Sequence, residues 1–430
     1  MTVFQSLKVR NYRLFASGQV VSLSGTWMQR VAQDWLVLNL SHNSGTAVGV
    51  TTGLQFAPVL LFGMYGGVLA DRYPKRRILV ITQVAMGLLA LALGLLDLTG
   101  AVELWHVYAL AFALGIASAI DAPVRQAFVT ELVGPSLLAN AVGLNSATFN
   151  FARVLGPAVA GVLIASTGTS MVFLINATSF VAVIACLLAM KEGDLFVGKP
   201  ASRQPGAIRE GFAYVRQRPE LMAIIGLVGV VGMLGFNFQL TSALLTKNTF
   251  HHGAGSYGLI SAVYATGSLL GALVSANRSR LARRRLVFLA AAGYGLIEIL
   301  AGLMPTYWSF FALLVPFGFA TMTFSNAANT TVQLGVSPSV RGRVMALYIM
   351  VFLGGTPIGA PLIGWIAQIA GPRWSLITGG VASVAAAVLA ALYLARRERL
   401  RFEPHLLRRH PHVHVRALEP QQTQEEALVN

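Results

Sequence analysis

The chain has 430 residues, of which 55% are hydrophobic and only 11% charged, and its mean hydropathy is +0.65. A membrane-spanning helix takes about 20 largely apolar residues, so this composition has room for roughly a dozen spans and short loops, and it excludes a soluble multidomain enzyme. The formal charge of +16, from 32 Lys and Arg against 16 Asp and Glu, would suggest nucleic acid on a soluble protein, so the placement of the charges decides.

Twelve apolar stretches follow along the chain, over 14–38, 48–70, 78–97, 104–122, 138–165, 171–190, 221–245, 256–276, 286–304, 307–332, 344–369 and 374–395. Each is long enough to cross a bilayer, and several carry the Gly, Ala and isolated Pro that lipid-embedded helices tolerate. The ten-residue alternation of an outer-membrane barrel is absent from the sequence. The first stretch is too long for a signal peptide and has no small-residue cleavage site, so it is read as the first span. With a cytosolic N-terminus, all but four of the basic residues fall on the arm, the inner loops or the tail. The exceptions are Lys247 and Arg373 on the outer side and Arg30 and Arg153 inside spans. This segregation is the positive-inside pattern for twelve spans with both termini in the cytosol of a bacterial plasma membrane. The basic surplus is therefore topology, and nucleic-acid binding is dropped. Cys186, the single cysteine, excludes an internal disulfide or a cysteine metal cluster.

The longest polar segment divides the chain into an N-terminal six-helix bundle (1–190), a cytosolic linker (191–220), a C-terminal six-helix bundle (221–395) and a cytosolic tail (396–430) expected to be disordered. Weak repeats support the division. Gly63-xxx-Gly67 recurs as Gly267-xxx-Gly271, Pro135-Ser136 as Pro338-Ser339, and Gly156 and Gly161 as Gly359 and Gly364, at nearly equal offsets. Glycines four apart let helix backbones approach closely, and duplicated bundles are common in transporters that rock about a central site.

Four ionisable residues lie inside or at the margin of apolar stretches: Arg30, Asp34, Arg153 and Glu298. Each costs about 2.5–3.5 kcal/mol or more to insert, so such residues face a cavity or a partner. Arg30 and Asp34 are four apart and share a helix face. Gln19, Ser22, Thr26, Gln29 and Gln33 continue a polar stripe on that helix, and Ser146, Asn150 and Arg153 form another on the fifth span. Asp34 with Arg30 or Arg153 is the expected proton or substrate site, with a static ion pair as the alternative. Glu298 is open between a second protonation site and a packing contact. Trp27, Trp35, Phe149, Phe236, Phe238 and Phe324 could contribute an apolar wall or serve only as core.

The loop after the second stretch reads Gly67-Val-Leu-Ala-Asp71-Arg72-Tyr-Pro-Lys75-Arg76-Arg77. It resembles the signature loop of the major facilitator superfamily, Gly-x-Leu-Ala-Asp-Arg-x-Gly-Arg-Lys, with Pro74 in place of a glycine. The resemblance implies twelve helices in two pseudo-symmetric bundles, with the first and fifth spans bordering a central cavity. It also implies that Asp71 caps the start of the eleventh span while Arg72, Lys75 and Arg76 brace the inner gate. The first span, the Asp121-Ala-Pro123-Val-Arg125-Gln126 segment read as the loop after span four, and span five are similar to the drug and siderophore exporter branch. Gly156, Pro157 and Gly161 approximate an antiporter motif, with Ala152 and Ala160 at two of its glycines. Ala111 stands where many proton-coupled drug antiporters carry arginine.

Two other signals are set aside. Gly193 to Lys199 mimics a phosphate-binding loop until Pro200, where the magnesium-binding hydroxyl would stand. The His410, His412 and His414 cluster has no acid or cysteine beside it. The expected function is secondary active transport: proton-coupled export of a small amphipathic drug, siderophore or secondary metabolite, by a monomer in membrane lipid with no cofactor. The alternatives are a lysophospholipid flippase, a metabolite uptake carrier, or a non-transporting scaffold or receptor.

Overall fold

Lipid offers no hydrogen bonds to backbone N–H and C=O groups, so an apolar stretch of this length satisfies them internally as a helix. The computed structural model describes residues 4–196, 207–278, 284–337, 340–397, 400–405 and 412–417. In it the twelve stretches become helices that run a few residues past each apolar core. Ten helices among the described residues are long and apolar enough to cross a membrane. One of them, Leu104–Thr167, holds spans four and five, because the chain turns at Gly134, whose φ of 67° lies in the left-handed region, with Pro135 next. Span one, Arg10–Leu40, is less apolar because of its polar stripe and completes the twelve. The others are Gly45–Arg72 (two), Lys75–Leu98 (three), Thr169–Leu188 (six), Pro219–Thr249 (seven), Ala254–Arg278 (eight), Arg284–Leu303 (nine), Tyr307–Leu334 (ten), Arg341–Ala370 (eleven) and Pro372–Arg397 (twelve).

Three segments differ from the sequence reading. The stretch around Asp121 to Phe128 is not a loop; it continues span four. Asp121 and Arg125, one turn apart, form an ion pair, and the Asp121 carboxylate also accepts from Thr82 Oγ1 and Gln83 Nε2, both at 2.8 Å. Buried charges satisfied in this way can stay inside a bundle. Within the linker, Ala207–Arg216 is helical. In the tail, Arg396 and Arg397 end the last helix and Leu400–His405 and His412–Ala417 pair antiparallel; the other tail residues, with the His410 end of the histidine cluster and 197–200 of the phosphate-loop mimic, lie outside the described residues.

Spans one to six pack mainly on one another, as do spans seven to twelve, and the halves are joined chiefly by two helix pairs, two with eleven and five with eight, with smaller contacts of spans one and two against spans seven and eight. The apolar cores show where the halves meet. One buried cluster draws only on residues from 215 onward, and two draw only on residues before 196. A fourth, with Trp35, Val37, Ala47, Leu244, Tyr257 and Ile363, contains both halves. It lies at the end of the bundle opposite the chain termini, here called the outer end.

Glycines permit that closure. A methyl group at Gly258 (span eight) would stand 2.7 Å from Gly161 Cα (span five), and one at Gly53 (span two) 2.9 Å from Pro361 (span eleven). The repeat at 156/161 and 359/364 acquires a geometric meaning here. Gly156 abuts span one and Gly161 span eight, while Gly359 abuts span seven and Gly364 span two, so spans five and eleven do equivalent work in the two halves. Toward the other end, added methyl groups at Gly63 and Gly143 would meet nothing within 4 Å.

Candidate functional site

Between the halves, just inside the outer seal, lies a cavity of about 240 Å³ lined by residues of spans one, two, seven and eleven, among them Arg30, Gln33, Asp34, Gln55, Phe236 and Asn237. Span seven supplies its wall because it is broken. Residues Val231–Gly235 widen into a π-helical turn, and Asn237 Nδ2 donates back to Met233 O at 2.8 Å. Broken spans of this kind place backbone polar groups in a cavity, where they are tolerated.

Asp34 is 7% exposed. Its Oδ2 accepts from the Tyr257 hydroxyl at 2.8 Å, and that hydroxyl also approaches Gln239 O at 3.2 Å. Tyr257 stacks on Trp35, with ring centroids 6.2 Å apart. Asp34 belongs to span one and Tyr257 to span eight, so the bond joins the halves. Three more bonds cross the outer end: Lys247 Nζ to Asn39 Oδ1 at 2.5 Å, Asn248 Nδ2 to Asn43 O at 3.0 Å, and Gly45 N to Gln368 Oε1 at 2.8 Å.

Neither expected partner forms an ion pair with Asp34. Arg30 forms no ion pair with it within 4.0 Å; its guanidinium lies 4.7 Å from the Trp27 ring centroid and its Nε is buried without a hydrogen-bond partner. Arg153 approaches the same Trp27 ring at 5.8 Å and the Tyr264 ring at 5.8 Å. The span-one stripe also divides. Gln19 accepts from Arg125 Nη1 at 2.8 Å and Gln29 accepts from Asn176 Nδ2 at 2.5 Å, so both are spent on contacts within the N-terminal half. Gln33 donates to Gln55 Oε1 at 3.2 Å and does line the cavity. Ser146 and Asn150 hydrogen-bond only their own helix backbone, with Ser146 exposed and Asn150 half-buried.

Glu298 is 2% exposed and belongs to span nine of the C-terminal half. Its Oε2 has no hydrogen-bond partner, and it packs against the backbones of Gly235 and Gly379. Of the aromatics, Phe236 lines the cavity with its edge 5.3 Å from the Tyr294 ring. Phe149 meets Trp27 edge-on at 5.8 Å and is exposed. Phe238 and Phe324 are buried core.

At the termini end, Lys75 Nζ pairs with Glu131 Oε1 at 2.6 Å. Arg76 donates to the carbonyls of Leu187 (2.7 Å) and Leu188 (2.9 Å) and pairs with Glu192 at 2.6 Å. These contacts stay within the N-terminal half and the first residues of the linker. Arg72 is exposed in the last turn of span two beside Asp71. The start of span eleven that Asp71 was expected to cap adjoins 338–339, outside the described residues. Arg343 there pairs with Glu210 of the linker helix.

Sequence reasoning missed Tyr257, the Asp121 network and the glycine row Gly45, Gly49 and Gly53, all of which face span eleven. The row was detectable as three glycines at four-residue spacing. Tyr257 had no comparable signal, since it lies 223 positions from Asp34.

Comparison with known proteins agrees with this arrangement. The family model MFS_3, described as "Transmembrane secretion effector", matches residues 1–420. The chain is 26% identical over 399 residues to a staphyloferrin A transporter of Staphylococcus aureus, covering 91% of this chain and 98% of that one. It is 25% identical over 410 residues to the enterobactin exporter EntS of Shigella boydii, covering 91% and 94%. Among solved structures, a bacterial homologue of the human lysosomal transporter Spinster, in inward-facing and occupied conformation, superposes with a TM-score of 0.71 at 19% identity, covering 90% of this chain and 97% of that one. The family and these relatives are membrane transporters and not enzymes. The chain belongs to the transmembrane secretion effector family of the major facilitator superfamily and is a multi-pass membrane transporter.

Proposed function

We propose that this transporter exports a small amphipathic compound from the bacterial cytosol in exchange for protons, as a monomer with both termini cytosolic and no bound cofactor. The siderophore transport named for two relatives supports a substrate of that size, and the segregation of basic residues supports the orientation. In that orientation the shared outer core and the open surroundings of Gly63 and Gly143 correspond to an inward-facing state.

The observation that carries the coupling is the Asp34–Tyr257 hydrogen bond across the halves, at the edge of the cavity. With Asp34 ionised the bond is charge-assisted and about twice as strong as a neutral one. Protonation weakens it. Asp34 thus ties the strength of the outer latch to its own proton, while substrate entering beside Arg30 and Gln33 reaches the same cavity from the cytosolic side. The driving force is sufficient, because one charge crossing 100 mV is worth about 2.3 kcal/mol.

The test is proton movement in reconstituted vesicles holding a pH-sensitive dye, challenged with ethidium and with 2-naphthoate as amphipathic cation and anion. The parent should move protons against at least one of them, and Asp34→Asn should abolish that movement. Parent vesicles that move neither, or an unaltered rate in Asp34→Asn, would overturn the coupling.

A further inference from the structure

Among the described residues, three partly buried cations each pair with an acid. Arg125 has Asp121, Lys75 has Glu131 and Arg76 has Glu192. Arg30 and Arg153 have no such pair: Asp34, one turn from Arg30 on the wall of the same cavity, stands beyond ion-pair distance, and no acid pairs with Arg153. Each sits inside a span, and neither makes a hydrogen bond or an ion pair among the described residues. What they share is one ring. Trp27 has Arg30 at 4.7 Å from its centroid and Arg153 at 5.8 Å, with Phe56 and Tyr264 as further aromatic neighbours, each at 5.8 Å.

Aromatic rings hold a guanidinium plane in place but leave its N–H fork unused. Two such forks on one indole present ten N–H donors in total by composition, five from each arginine, and an arginine fork matches a planar oxyanion in two-point geometry. Unpaired burial of two like charges is costly, and it persists where a ligand provides the missing partner. Arg30 lines the cavity, Phe149 against Trp27 is exposed, and Arg153 reaches from span five of one half to Tyr264 in the other. An anion drawn to this pair is therefore held by two arginines of the N-terminal half, one of which rests on a ring of the other half. The charge count agrees: Arg30 and Arg153 with an ionised Asp34 sum to one positive charge, and a single acidic group neutralises the set.

We propose that the transported compound is an organic oxyanion, held by Arg30 and Arg153, the two arginines that share the Trp27 ring. This rests on the transport reading above and assigns its substrate class. It also gives Asp34 a competitor, because the substrate's acidic group and the Asp34 carboxylate both approach Arg30.

The experiment is equilibrium binding to the purified full-length protein in detergent, using a charge series of one shape: 2-naphthoate, neutral 2-naphthamide and cationic 2-naphthylmethylamine. Dodecyl phosphate serves as the lipid-like oxyanion. The parent should bind naphthoate about tenfold or more tighter than the amide, the expected scale for a hydrogen bond to a charged group, and the amine most weakly. Arg30→Gln and Arg153→Gln should each remove most of that preference, and an unfolding temperature close to the parent's reports that the variants are folded. Arg30→Lys should keep part of the preference. If dodecyl phosphate exceeds naphthoate and depends on the same arginines, the oxyanion is a phosphate; the reverse order assigns a carboxylate. Equal affinity for naphthoate and amide in the parent, or tighter binding of the amine, overturns the proposal. Binding here needs no proton gradient, so loss of charge preference with proton exchange intact sinks only the oxyanion assignment, whereas intact preference without exchange sinks only the coupling.

Discussion

The Tyr257 hydroxyl donates to Asp34 Oδ2 at 2.8 Å, and these two residues belong to helices in opposite halves of the molecule. A hydrogen bond to a charged group contributes about 1.5–3 kcal/mol, equivalent to roughly a tenfold to hundredfold change in the ratio of outer-closed to outer-open molecules. Tyr257→Phe removes the donor and keeps the ring that stacks on Trp35. Spin labels at His42 and His251, in the outer loops, should therefore report a larger open population in Tyr257→Phe than in the parent.

The same bond sets a pH dependence whose sign follows from the chemistry. Lowering the pH protonates Asp34, which replaces a charge-assisted bond by a neutral one of about half the strength. The outer-open population of the parent should rise as pH falls. Asp34→Asn and Tyr257→Phe should both lose this response, and the double variant should behave like either single one. A parent distance distribution that does not move with pH would exclude Asp34 as the titrating latch.

The glycine contacts separate positions that need closeness from those that only resemble them. At Gly258 an added methyl group would meet the Gly161 backbone at 2.7 Å, so Gly258→Ala should prop the outer ends apart and cut transport by more than tenfold. At Gly63 the methyl group meets nothing within 4 Å. Gly63→Ala should keep transport within about twofold, and its unfolding temperature should not fall, since alanine is favoured in a helix by about 1 kcal/mol. Flux and thermal unfolding, measured together on both variants, check the pair.

These cases also indicate what was legible in the sequence. Composition and the placement of Lys and Arg give the spans, because burying an apolar helix is a local property of 20 residues. The loop from Gly67 to Arg77 resembles the superfamily signature for the same reason: its residues are contiguous. Asp34 and Arg153 stood out because a charge among apolar neighbours is costly wherever it sits. Their partners could not be read. Tyr257 is an ordinary residue near the start of an apolar stretch, and only the closure of one half on the other brings it to Asp34. Helical spacing paired Arg30 with Asp34, yet Trp27, one turn earlier on the same helix, holds the guanidinium instead. Asp121 was misplaced because a local count of charges takes Asp and Arg four apart as a loop, whereas Thr82 and Gln83 of a different span make burial tolerable.

The Asp121 network leads to a stability prediction. Asp121 is 2% exposed and accepts from Thr82 and Gln83 at 2.8 Å while paired with Arg125. Asp121→Ala leaves the Arg125 charge partly buried with only Gln19 to receive it. Breaking a buried pair on one side costs about 3–5 kcal/mol, so the unfolding temperature in detergent should drop clearly. The double variant Asp121→Leu with Arg125→Met, which removes both charges, should recover a large part of the loss. A double variant as unstable as the single one would mean that the network does more than neutralise its own charges.

Glu298 is the second intramembrane acid, and its surroundings argue against a share in the proton path. It is 2% exposed, it packs on the backbones of Gly235 and Gly379, and it does not line the cavity that Asp34 borders. The Tyr294 ring beside it meets Phe236, and Phe236 forms the cavity wall. Glutamine has the same shape and can fill the same space, so Glu298→Gln should retain proton exchange within about twofold, with an unchanged pH profile, in the vesicle assay that Asp34→Asn fails. Its unfolding temperature should hold or rise, because the substitution removes a carboxylate whose Oε2 has no hydrogen-bond partner. Loss of exchange in Glu298→Gln at full stability would instead make Glu298 a coupling acid, and the proton route would then run through the C-terminal half.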